Sequence, residues 1–215
     1  YNKGASKKGG WQNGPDLCTW EGITCTSGVI TGLDFASLDL TEIPPGSLDV
    51  FANTLQSINF YGNNITTILP GAIDGIQTLT TINLGCDKTP ISKTATIALP
   101  PSTTTLYLHR CQLTALPKGL SPLPNLQYLY IDENDFTTFA EDMLAPYPKL
   151  LGVSATRCRL TSIPATFLFY TPLMTSFVVS GNEISAFATT FLNATPKMAM
   201  FDISYNFVEN CPFDF

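Results

Sequence analysis

Apolar positions along this chain alternate with polar ones for a few residues, break, and return after about two dozen. Leu33, Ile58, Ile82, Leu106, Leu129, Val153, Phe177 and Phe201 mark the recurrence, at intervals of 25, 24, 24, 23, 24, 24 and 24 residues. Two positions after each comes another apolar or small residue: Phe35, Phe60, Leu84, Leu108, Ile131, Ala155, Val179 and Ile203. Three further on stand Leu38, Asn63, Asp87, Cys111, Asn134, Cys158, Asn182 and Asn206. The local pattern is LxxLxLxx(N/C)xLxxLP, clearest in TTTLYLHRCQLTALP. A fixed period in the twenties predicts a solenoid, because one repeat cannot bury its apolar face alone. We therefore expect an α/β-type repeat solenoid of about eight repeats over residues 29–215, behind a tail and disulfide cap at 1–28. Binding in such a protein is spread over a surface that crosses many repeats.

The segment Leu126 to Phe139 shows how one repeat should work. Leu126, Leu129 and Ile131 fall on one side of a strand, while Tyr128, Tyr130 and Asp132 fall on the other. Asn134 ends the strand and should turn inward, where its amide can satisfy backbone groups of adjacent turns. A buried amide without partners would cost about 1–3 kcal/mol, so its recurrence implies them. Cys111 and Cys158 occupy the same slot, where a small thiol fits and donates weakly. Stacked in parallel, the strands make a curved sheet on the concave face, with loops or short helical turns on the convex face. Residues 87 to 103 lose the repeat signal and gain Pro100-Pro101, which predicts an irregular loop.

Each raw end of a solenoid exposes core unless it is capped. Trp11 to Cys25 is the candidate front cap: Cys18 and Cys25 flank Trp20 immediately before the first repeat. A disulfide there would pin the indole over the first strand; two free thiols in a reducing compartment is the alternative. The CxWxGxxC spacing before a first repeat resembles the N-terminal cap of extracellular leucine-rich repeat proteins, notably plant receptor kinases and related secreted proteins. Two features depart from the plant pattern. The helix that usually begins the cap is absent, and the LxGxIP turn is replaced by Leu40-Thr41-Glu42-Ile43-Pro44. The resemblance implies a leucine-rich repeat horseshoe with an extracellular or cell-surface address.

Neighbouring repeats bring equivalent backbone positions within disulfide range, which favours a Cys86–Cys111 bridge. Cys158 and Cys211 lie two repeats apart, about 10 Å by strand stacking, too far to pair at ladder positions. Asn64 and Asn193 begin Asn-x-Thr sequons and would accept N-glycans in a secretory pathway.

Charged residues make up only 13% of the chain, and its net charge is −6. That argues against sequence-independent nucleic-acid binding, which needs a basic footprint. No apolar stretch is long enough to span a bilayer. The outward strand positions gather Tyr61, Tyr107, His109, Arg110, Tyr128, Tyr130, Asp132, Glu133 and Arg157 near the middle of an otherwise Ser/Thr-rich face. Tyrosine and arginine are enriched in binding hot spots, so these nine are the candidate ligand-binding residues. The bland reading is that aromatic residues simply suit exposed strands.

Catalysis is the poorer expectation. His109 is the only histidine, which excludes a multi-histidine zinc site, and no metal or other cofactor is expected. Ser154, His109 and Asp132 could be drawn as a triad, but an open sheet face offers no water-excluded cleft. Two non-enzymatic expectations remain. One is an interaction module holding a protein, peptide or glycan on its concave face. The other is a structural component of an extracellular matrix, wall or filamentous appendage, assembling through its ends and flanks; further copies of the chain or a downstream domain are the expected contacts at the C-terminal end.

Overall fold

A computed structural model describes residues 16–87, 91–92 and 94–209. The chain starts with a 3-10 turn at Leu17–Thr19, where the Asp16 carboxylate accepts from the Cys18 N–H at 2.9 Å. Strand β1 (Ile23–Thr26) then doubles back through Ser27 and Gly28, both at positive φ, into β2 (Val29–Asp34). Such a two-residue turn matches the right-handed twist of an antiparallel pair. The strand β1 was not legible as a strand in the sequence, and it covers the first edge of the solenoid. Cys18 and Cys25 are bonded, with Cα atoms 5.6 Å apart, tying the 3-10 turn to this strand. Trp11 to Pro15 of the expected cap lie outside the described residues.

From β2 onward the sheet is parallel. It continues through β3 (Ser57–Asn59), β4 (Thr81–Asn83), β6 (Thr105–Tyr107), β8 (Tyr128–Tyr130), β9 (Gly152–Ser154), β10 (Ser176–Val178) and β11 (Met200–Asp202). The register joins Leu33, Ile58, Ile82, Leu106, Leu129, Val153, Phe177 and Phe201 across it. All of these are buried except Phe201, which is half-buried on the last described strand. The result is a parallel-strand solenoid of about seven turns, held by one continuous apolar core. In the second half, phenylalanines fill the space behind the sheet: Phe139 stacks on Phe167 at 4.6 Å, and Phe167 touches Phe177.

The inward asparagines close the turns. Asn134 Oδ1 accepts from the N–H groups of Cys111 and Leu113, at 2.9 and 3.0 Å. Its Nδ2 donates to the carbonyls of Leu108 and Ile131, at 2.9 and 2.7 Å. Asn63 and Asn182 repeat the arrangement one repeat at a time. At Cys158 a thiol takes the slot and donates to the Ile131 carbonyl at 3.2 Å; burial pushes its pKa up to about 12.

Repeat three departs from the template in two ways. Asp87, which the period places in the ladder, is exposed; Cys86 turns inward and bonds Cys111, with Cα atoms 4.7 Å apart. The expected irregular loop also contains a strand, β5 (Thr96–Ile97), paired with β7 (Gly119–Leu120) as a second small sheet away from the main one. A Cβ on Gly119 would fall 2.5 Å from the Ala95 carbonyl oxygen, so this close pairing requires glycine. Cys211 lies outside the described residues. No helix among the described residues is long and apolar enough to cross a membrane.

Candidate functional site

Side chains that alternate outward from the central strands converge on one depression of about 470 Å³. It is lined by Tyr61, His109, Arg110, Asp132, Glu133, Ser154, Thr156 and Arg157. Six of these are among the nine candidates read from the sequence. Tyr107 and Tyr130 stand beside it, their rings stacked at 4.5 Å and nearly parallel, because β6 and β8 place them opposite one another. Tyr128 occupies the neighbouring outward column, leaning over Gly152, and like Tyr107 and Tyr130 it does not line the depression itself. Ser154 and Thr156 were not among the nine, although their outward register is the same; small hydroxyls carry no compositional signal for binding.

Glycine shapes the aromatic wall. A Cβ on Gly85 would lie 2.5 Å from two atoms of the His109 ring, so the imidazole occupies space that any other residue would fill. There the ring stacks on Tyr61 at 5.2 Å and meets the Tyr107 ring edge-on. Burial lowers the His109 pKa, opposed by the Asp132 carboxylate, reinforced by Arg110 and opposed again by Glu133. The Cys86–Cys111 bridge joins the same two repeats, and the Cys86 N–H donates to the His109 carbonyl at 2.9 Å.

Just past the strands the backbone turns left-handed, and here the charges are displayed. Arg110, Glu133 and Arg157 have φ of 59°, 55° and 55°. The corresponding positions in two other repeats are Gly62 and Gly181. A side chain in this conformation costs roughly 1–2 kcal/mol that glycine does not incur. Arg110 and Glu133 form a two-pronged pair, at 3.0 and 3.1 Å, and Arg110 also reaches the Tyr61 hydroxyl at 3.4 Å. Hydrogen bonding to Glu133 and then to Tyr61 raises the already high Arg110 pKa. Asp132 Oδ1 accepts from the Ser154 hydroxyl and from the Thr156 N–H, the latter at 2.7 Å. Ser154 is thus engaged by Asp132, and no hydrogen bond joins it to His109 among the described residues. The drawn Ser-His-Asp triad is not assembled.

Residues 54–76 match the family described as Leucine Rich Repeat. Over 86 residues the chain is 33% identical to mouse (Mus musculus) reticulon-4 receptor-like 1, covering 39% of this chain and 19% of that protein. It is 32% identical over 81 residues to receptor-like protein 50 of Arabidopsis thaliana, covering 36% of this chain and 9% of that protein. The chain therefore spans a fifth or less of the length of these relatives. Among solved structures, it resembles a chain of the TLR13–ssRNA13 complex with a TM-score of 0.71 at 18% identity, over 81% of this chain and 25% of that one. A chain of the Drosophila Toll–Spatzle complex gives a TM-score of 0.62 at 17% identity, over 80% and 26%. Those identities speak to fold alone. Repeat match, relatives and solenoid geometry together support the leucine-rich repeat fold.

Proposed function

We propose that this chain is an extracellular or cell-surface interaction module that holds a protein, peptide or glycan ligand on its concave face. The observation that carries the reading is the pre-arranged cluster on consecutive repeats. Tyr107 and Tyr130 brace each other, His109 is wedged over Gly85 against Tyr61, and Arg110 is fixed by Glu133. Side chains already held in place lose little freedom on binding, which favours affinity. Two disulfides and the exposed sequon residues Asn64 and Asn193 fit a secreted setting. The receptor-like names of the relatives point the same way. An open, shallow face without an assembled triad favours binding over catalysis.

A panel of displayed peptides, purified surface proteins and immobilised glycans tests this. A ligand recovered on the intact chain should lose about tenfold or more in affinity with Tyr107→Ala or Tyr130→Ala, the usual size of a hot-spot loss. Thr166→Ala and Thr189→Ala, in exposed turns on the opposite side, should leave it unchanged. Equal losses from both sets would sink the concave-face reading.

One observation favours a second reading, assembly through the exposed apolar side chains of the β11 repeat. Met200, Tyr205 and Phe207 are 54%, 89% and 68% exposed on the last described repeat. Exposed apolar side chains beside a strand edge are an association hazard. Light scattering over a concentration series separates the two readings: a persistent monomer removes the second.

A further inference from the structure

Charge in the central depression is unevenly consumed. Glu133 has both carboxylate oxygens on Arg110, and Asp132 is occupied by Ser154 and Thr156. Two residues past Arg157, Arg159 pairs with Asp135 of the preceding repeat at 3.2 Å. Arg157 alone among these arginines has no carboxylate or hydrogen-bond partner for its side chain among the described residues. Its stem lies across Gly181, with Cγ 3.0 Å from where a Cβ would stand there. It is held at a left-handed position that Gly62 and Gly181 fill elsewhere without strain. A free guanidinium is thus presented to the depression at some cost in backbone energy, next to anions that are already engaged.

Resting on the concave-face reading, we propose that Arg157 receives one carboxylate from a peptide segment. The residues of that segment next to the carboxylate pack on the Tyr107–Tyr130 stack. A guanidinium matches a carboxylate in a planar, two-pronged pair. A polyanion is the poorer fit, because among the described residues lining the depression Arg157 is the one unpaired cation, and on a chain of net charge −6 it cannot neutralise a run of phosphates or sulfates. The braced tyrosines supply rigid, amphipathic contact area suited to apolar side chains and peptide backbone.

The test uses the whole chain and a displayed library of short random peptides, fused at both ends so that no terminal carboxylate is offered. Recovered peptides should carry Asp or Glu beside an apolar or aromatic residue. In capped synthetic versions, replacing that acid with its amide should weaken binding to the wild type about tenfold, the loss of one charge-assisted pair. The same replacement should change binding to Arg157→Gln less than about twofold, and Arg157→Lys should restore part of the difference. Thermal midpoints of the Arg157 variants should match the wild type, so that a binding loss is not an unfolding loss. Recovered peptides without an acid, or an equal loss on wild type and Arg157→Gln, would overturn the proposal. So would failure to recover any peptide, or capture only of acidic oligosaccharides or RNA. If binding depends on Tyr107 and Tyr130 but not on Arg157, the concave-face reading stands and this inference fails. If it depends on none of the three, both fail.

Discussion

The inward and outward sides of the same short strands follow opposite rules. On the inward side similar chemistry returns in most repeats: an aliphatic or aromatic residue, a second apolar or small one two positions on, then an Asn or Cys under the turn, with Leu38 and Asp87 as the departures. Asn63, Asn134 and Asn182 make the same four backbone hydrogen bonds with different neighbours. On the outward side, one register column runs Asn59, Asn83, Tyr107, Tyr130, Ser154 and Val178, with no common chemistry. The inward column is constrained by burial and by backbone groups that need partners. Apart from Asn59 and Asn83, whose Oδ1 atoms accept the N–H groups of Tyr61 and Gly85, the outward column carries no such constraint, so substitutions there should cost less stability. On the proposed reading, stability and recognition are carried by alternate residues of one strand.

The sharpest way to break this separation is to remove the covalent link between repeats three and four. Cys86→Ser with Cys111→Ser should cost about 3 kcal/mol, the loop-closure term for a bridge of this span. It should also free the His109 wall, because the bridged segments carry both Gly85 and His109. A denaturant midpoint gives the first effect, and loss of the Tyr61–His109 ring contact by NMR gives the second. An unmoved midpoint would show that the solenoid needs no staple there.

Asn134→Leu should cost about 2 kcal/mol, because Cys111, Leu113, Leu108 and Ile131 would each lose a buried partner. Tyr130→Ala, four residues away but outward, should cost under about 1 kcal/mol, the scale of one ring-stacking contact. Urea melts of the pair read the comparison directly. Similar losses in both would mean that the outward face also holds the fold together.

Cys158→Asn sharpens the same contrast from the other direction. A thiol offers one weak donor and one weak acceptor where the repeats of Asn63, Asn134, Asn182 and Asn206 offer an amide. The substitution should stabilise the chain by about 1 kcal/mol, read as a raised thermal midpoint. A lowered midpoint would mean that the slot is too tight for an amide in this repeat.

The smallest effect is that of His109, whose folded-state pKa is depressed by burial. Its contribution to stability is fully present above the unfolded-state value of about 6.5 and is lost as pH falls through the folded-state value. His109→Gln should therefore flatten the decline of the denaturant midpoint between about pH 7 and about pH 5. Parallel declines in the two proteins would show that the ring is not held in its neutral form.

The period of the apolar residues, the inward Asn and Cys positions and the outward position of the central tyrosines were all legible along the chain. They follow from strand alternation and from the need to satisfy buried amides, rules that act within one repeat and its neighbour. Position 87 was misplaced because the covalent bond from Cys86 to Cys111 overrides a count of residues. Strands β1 and β5 were missed because each is stabilised by a partner segment, not by its own apolar alternation.

Only the tertiary structure decided how the outward residues meet. Leu106, Leu129 and Val153 fix where their strands lie, but nothing in the spacing says that Arg110 takes Glu133 and leaves Arg157 unpaired. Nor does it say that Asp132 takes Ser154, or that Gly85 makes room for His109 beside Tyr61. These choices depend on side-chain reach across strands a few ångströms apart and on the left-handed turns at Arg110, Glu133 and Arg157. Sequence periodicity determines which residues share a face, because backbone hydrogen bonding repeats. The pairings within that face depend on side-chain packing between repeats, which does not.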